Sequence, residues 1–234
     1  MGVLSKSEKA RARVERDPGG PGLFDDARAW RSERVAVLAA GIAHEVRNPL
    51  NAMAIHLEVL SDKLRNEEGA LPAAVRPNLE AIRSQIHRLD DIIRKFSDFA
   101  QGRAQSKAIA PIVEDAVTLC SFPLRRRGLE VELSALPEAK VADGAALALA
   151  LVDVLLLAVD AVEVGTRIGI DVRRENETIR MCLRADGPNV RMDAKRLENI
   201  DALLRAQGGR LEPGFGDGIL AMFLIPEETA ASPL

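Results

Sequence analysis

The chain has no tyrosine, one tryptophan and six phenylalanines, so aromatic residues fill only 3% of its 234 positions. A surface that stacks unpaired bases needs aromatic faces, and binding of single-stranded nucleic acid is therefore not expected. No basic excess compensates: 32 lysines and arginines stand against 35 acidic residues, a net charge of −3. That balance lacks the positive footprint that nucleic acid requires. Cysteine is scarce as well. Cys120 and Cys182 stand apart in apolar surroundings, which argues against a disulfide or a cysteine metal pair and fits buried thiols in a reducing compartment. Of the three histidines, His56 and His87 read as structural or solvent-facing positions. Long hydrophobic runs are missing too. The longest, ALALALVDVLLLAV, is interrupted by Asp153 and followed by Asp160, and reads as too short for a membrane span of about 20 residues. The N-terminus lacks the charge order of a signal peptide. Neither nucleic acid nor membrane is expected as a partner, and the expected location is the cytoplasm.

What remains is an ordinary soluble composition, 47% hydrophobic and 29% charged, and one dense motif. His44 opens the run His-Glu-Val-Arg-Asn-Pro-Leu inside a long helical pattern. A histidine on a helix surface followed by a carboxylate suits phosphoryl carriage. The carboxylate can accept a hydrogen bond from Nδ1–H and leave Nε2 as nucleophile. Pro49 has no N–H to donate and disfavours helical geometry at Asn48, so a bend is expected about one turn beyond His44.

The run AAGIAHEVRNPLNAM resembles the H box of bacterial sensor histidine kinases with a helical-hairpin phosphoacceptor domain. The resemblance implies that His44 accepts phosphate on Nε2 and that Glu45 hydrogen-bonds Nδ1. It also implies that Asn48 matches the position whose amide aligns water for dephosphorylating a receiver. Arg47 either steers phosphate or is simply solvated.

Helical periodicity around this motif gives the first unit, residues 24–104. Met53, Leu57, Leu60 and Leu64 recur at fours and threes in the first helix, expected over 26–66. Glu67 to Pro72 reads as a turn, and Leu79, Ile82, Ile86, Leu89, Ile93 and Phe96 mark a second helix ending near Gly102. An antiparallel hairpin cannot bury both stripes, so a homodimer forming a four-helix bundle is expected. At about 100° per residue, Ala52, Ile55 and Val59 lie on the side of His44 and Asn48. This strip is either a dock for a partner helix or a contact with the second protomer. Asn51 and His56 adjoin it and join the expected partner surface. Residues 1–23, broken by the Pro-Gly run at 18–22, are expected to be a disordered arm, with no sensing domain ahead of the H box, and 229–234 a tail.

The second unit, 108–228, reads as α/β. Helices are expected over 111–124, 143–162 and 195–206, with strands over 129–133, 167–173, 178–184 and 219–225 and another at Leu211. The order resembles the ATP-binding domain of the same kinases, in a degenerate form, so the whole chain reads as an α+β multi-domain protein. The departures matter. The family's metal-binding Asn falls on Leu157 within Asp153-Val154-Leu155-Leu156-Leu157-Ala158, and leucine offers no oxygen to Mg²⁺. The adenine-reading Asp falls on Ala185, with Asp186 one residue away. Asn189 runs almost directly into the next helix and leaves no room for an ATP lid. The cluster Gly214-Phe215-Gly216-Asp217-Gly218 sits between strands and reads as a hairpin turn, and Arg125-Arg126-Arg127 as a solvated charged run.

The expected function is therefore a histidine phosphotransferase that passes phosphate through His44 to or from receiver-domain aspartates, without autophosphorylation from ATP. Receiver phosphatase activity is compatible with it. No cofactor is expected on this chain, and Mg²⁺ would come from the receiver, including one carried by a hybrid kinase. The alternatives are a non-catalytic pseudokinase scaffold and, third, an active soluble sensor histidine kinase.

Overall fold

The computed structural model describes residues 23–65, 75–103, 107–187, 190, 192–214 and 218–228. The expected arm, the turn at 67–72 and the tail lie outside the described residues, apart from Leu23. Helix α1 runs over Leu23–Arg65 and contains Pro49. The expected bend does not interrupt it, because a proline in the interior removes only the one hydrogen bond that the carbonyl of Glu45 would have accepted. Helix α2 spans Arg76–Gln101, starts with Pro77 in its first turn and stops at Gly102. Gly102 adopts φ 66°, and its N–H reaches the carbonyls of Asp98 and Phe99.

The two helices pack antiparallel, but not with the stripes fully buried. Met53 is buried, whereas Leu57 is 54% exposed and Ile86 and Ile93 are 50% exposed each. The reason is geometric: far from the second unit each helix has one neighbour and two apolar faces. Near it the pattern closes. Leu38, Ile42, Ile92 and Phe99 join one continuous hydrophobic core with the second unit. Lys95 reaches across, 3.0 Å from both Asp91 and Asp115.

The expected helix over 111–124 is two helices, α3 Ile109–Leu119 and α4 Ser121–Arg126, which meet at Cys120. Pro123 explains the break, since it fits the first turn of a new helix but not the interior of a long one. Strand β1, Glu130–Leu133, precedes α5, Gly144–Ala161, whose start is capped by Asp143 accepting from the N–H groups of Ala145 and Ala146 at 3.0 Å each. Strands β2 (Arg167–Glu175) and β3 (Thr178–Ala185) form a hairpin around Asn176, at φ 57°. Helix α6, Ala194–Arg205, then leads to β4 (Arg210–Pro213) and β5 (Ile219–Pro226). The sheet order is β1-β2-β3-β5-β4, with β1 parallel to β2 and the other pairs antiparallel.

Helix α5 is long and apolar enough, by length and composition, to cross a membrane, which corrects the reading that no such stretch exists. It is 78% buried inside the fold, however, and forms the centre of the helix layer on the sheet. Leu147, Leu149, Leu151 and Leu155 are almost wholly buried there, each contributing about 1.5–3 kcal/mol of hydrophobic stabilisation.

Candidate functional site

His44 and Asn48, one turn apart on α1, share a face and are both exposed, as are Arg47 and Asn51. Further along, Ile55 is 62% and Val59 40% exposed, with Ala52 and His56 half-buried. The strip below His44 is thus open to solvent in the single chain. Nδ2 of Asn78 donates to the backbone carbonyl of His56 at 3.5 Å.

Helix α4 of the second unit docks directly on the H box. The Phe122 ring lies 4.9 Å from the His44 imidazole, centroid to centroid, tilted by 50°. Gly41 makes this approach possible: a Cβ there would stand 3.0 Å from Cβ and Cδ1 of Phe122. Glu45 is 5% exposed and paired with the guanidinium of Arg125. It makes no hydrogen bond to His44 among the described residues, against the expected orientation of Nδ1. Neighbouring helix positions point about 100° apart, so Glu45 turns into the interface while His44 stands at its exposed rim against Phe122.

A cavity of about 400 Å³ opens beside the imidazole, lined by His44, Asn48, Arg88, Phe122, Arg125 and Arg126. The arginine triplet is therefore not a uniformly solvated run. Arg125 faces the H box, while Arg127 donates to the carbonyls of Val159 (3.1 Å) and Val162 (3.4 Å) at the end of α5. Such a cation satisfies carbonyls that have no partner within the helix.

A second polar contact ties the units together. Asp153 on α5 is fully buried, with Oδ1 3.1 Å from Nε of Arg34 on α1 and 3.0 Å from Nη2 of Arg196 on α6. Arg34 is itself 5% exposed. Burial raises the Asp153 carboxyl above its ordinary value, with Arg34 and Arg196 pulling it back down.

The nucleotide positions of the resemblance do not fit ATP and Mg²⁺. Leu157 is 3% exposed within the core and supplies no oxygen. Asp153, one turn before it, is held between two arginines. Ala185 is buried, its N–H donating to the carbonyl of Gly218 at 2.7 Å, and the neighbouring Asp186 is exposed. A Cβ at Gly214 would stand 1.7 Å from the carbonyl oxygen of Ile219, so that glycine is required by the β4–β5 connection itself. Phe215 to Asp217, Pro188 and Asn189 lie outside the described residues. Among the described residues no cluster of three His, Cys, Asp or Glu could hold a metal.

Sequence reasoning missed Arg88, Phe122, Arg125, Arg126 and the Arg34–Asp153 contact. Only Gly41, a glycine inside a strong helical pattern, signalled a close approach.

Residues 35–105 match the His Kinase A (phospho-acceptor) domain. Sporulation kinase E of Bacillus subtilis (strain 168) is 28% identical over 102 residues, 42% of this chain and 13% of that protein. The signal transduction histidine-protein kinase/phosphatase MprB of Mycolicibacterium paratuberculosis is 24% identical over 192 residues, 80% of this chain and 37% of that protein. The chain thus spans well under half the length of either relative. Among solved structures, the Acinetobacter baumannii histidine kinase AdeS aligns with 15% identity and a TM-score of 0.46, over 80% of this chain and 98% of that one. Residues 35–105, with the H box inside them, thus carry a His Kinase A (phospho-acceptor) domain, and a mixed α/β unit follows it, in a chain that is similar to two-component histidine kinases.

Proposed function

We propose that this chain is a histidine phosphotransferase of a phosphorelay, passing phosphate between His44 and receiver-domain aspartates without using ATP. The observation that carries this reading is a contrast. The histidine is exposed beside an open cavity, whereas the position that should ligate Mg²⁺ is a core leucine, Leu157, and the preceding Asp153 is enclosed by arginines. Phosphoryl transfer depends on positioning and on neutralising charge, and a fold without its metal ligand supplies neither to ATP.

In the proposed step an imidazole nitrogen of His44 attacks the phosphorus of a receiver aspartyl phosphate. The P–N bond forms, the P–O bond to the aspartate breaks, and the carboxylate leaves. Mg²⁺ is held by the receiver. Asn48, one turn from His44 on the same face, orients water when phosphate is removed from the receiver. Arg47, Asn51, Ala52, Ile55, His56 and Val59 form the docking strip. The exposed Leu57, Ile86 and Ile93 pack against a second copy in a four-helix bundle. Two free, buried cysteines fit a reducing, cytoplasmic location.

A second reading, an ATP-dependent autokinase, is favoured by the relatives, both of which are named kinases. Incubating the full chain with a panel of phosphorylated receiver domains tests the first. Label should pass to the wild type and not to His44→Gln, with both remaining dimers by light scattering. Label on the H44Q chain overturns the assignment. Tight binding of ATP–Mg²⁺ in calorimetry favours the second reading, and receiver binding without any label favours a scaffold.

A further inference from the structure

The cavity beside His44 has a charge that the transfer reaction as described does not use. Arg88 reaches it from α2, and Arg125 and Arg126 from α4, so three guanidinium-bearing residues from both units line one side of the imidazole. Glu45, the counter-ion of Arg125, is buried below the H box. Neither Arg88 nor Arg126 forms an ion pair among the described residues, and both are exposed. Arg125 has Glu45, but Arg88 and Arg126 add two cations with no acidic partner of their own among the described residues, and such a local excess of positive charge favours the entry of an anion.

We propose that Arg88, Arg125 and Arg126 form an anion pocket that holds the phosphoryl group carried by His44. This rests on the reading of His44 as a phosphate carrier. A phosphoryl group brings close to two negative charges and three acceptor oxygens, and planar guanidinium forks match such oxygens bidentately. Phe122, against the ring, forms the apolar wall of the same cavity. Arg125 keeps its pairing with the buried Glu45 through Nη2 and offers its remaining N–H groups to the phosphoryl oxygens. The three arginines are positioning residues: they act on the phosphoryl group once it is attached and do not replace the nucleophile.

The test uses phosphoramidate, a small donor that needs neither receiver nor ATP. An imidazole nitrogen of His44 attacks phosphorus, the P–N bond of phosphoramidate breaks, and ammonia leaves and takes up the ring proton. The full-length R88A/R126A chain is compared with the wild type by ³¹P NMR for rate of labelling and lifetime of the phosphohistidine. Both changes replace exposed side chains without ion pairs, so the fold is retained. We expect labelling rate or lifetime to fall about fivefold, as for the loss of exposed charge contacts, and the phosphorus resonance to move. R88K/R126K should recover part of the loss. A double variant that labels and decays like the wild type overturns the proposal. So does label that persists in His44→Gln. A labelled wild type that passes nothing to any receiver would sink the relay reading and leave the pocket standing.

Discussion

Replacing Asp153 with asparagine should be among the most damaging single-atom changes available to this chain. The side chain is fully buried and lies 3.1 Å from Arg34 and 3.0 Å from Arg196. Removing its charge strands Arg34, which is 5% exposed and cannot turn to water. Breaking a buried pair in this way costs about 3–5 kcal/mol. Arg34 keeps one partner, Glu33 at 2.6 Å, and Arg196 is partly open to solvent, so the lower end, about 3 kcal/mol, applies. For a chain of this length that corresponds to a fall in Tm of about 6–12 °C, read by far-ultraviolet circular dichroism. Asp153→Leu combined with Arg34→Met removes both charges and should recover most of the loss, because apolar replacements of buried pairs are often neutral. Arg34 Nε, although 3.1 Å from Asp153 Oδ1, is not aligned for a hydrogen bond, and Asp153 Oδ2 has no hydrogen-bond partner among the described residues, which leaves little to lose once both are gone. A loss under about 1 kcal/mol at neutral pH, or no recovery in the double variant, would refute the reasoning.

Gly41→Ala places a methyl group 3.0 Å from Phe122 and should cost about 1–3 kcal/mol by overpacking. The same change pushes α4 away from the H box, so His44 should react faster with diethyl pyrocarbonate, which a histidine-counting absorbance assay follows in an H56Q/H87Q background. Both thiols are buried, and burial pushes the Cys120 thiol well above its ordinary value. A disulfide reagent should therefore modify neither cysteine in the native chain at pH 8 and both in denaturant; rapid modification of Cys120 without unfolding would contradict its place in the core.

The helix periods of α1 and α2, the alternation of β2, β3 and β5 and the apolar run of α5 made the fold class legible, because each is a local pattern with one physical solution, and the run around His44 made the likeness to histidine kinases legible. Contacts between the units were not legible. Phe122 and His44 are far apart in sequence, and helical period tells which residues share a face, not which face meets α4. The Arg125 to Arg127 triplet shows the limit: three identical neighbours have three different surroundings, set by tertiary docking. The partial exposure of the hairpin stripes has a similar origin, since a period marks an apolar face without naming what covers it. Pro123 could have announced the break between α3 and α4, for proline belongs in a first helical turn.

The most direct measurement is the source of the label on His44. The full chain is incubated with Mg²⁺ and γ-labelled ATP alone, and in parallel with pre-phosphorylated receiver domains. The account predicts label only from the receivers, lost in His44→Gln. Label appearing on His44 from ATP alone would contradict it and show that a core leucine at position 157 does not silence this fold.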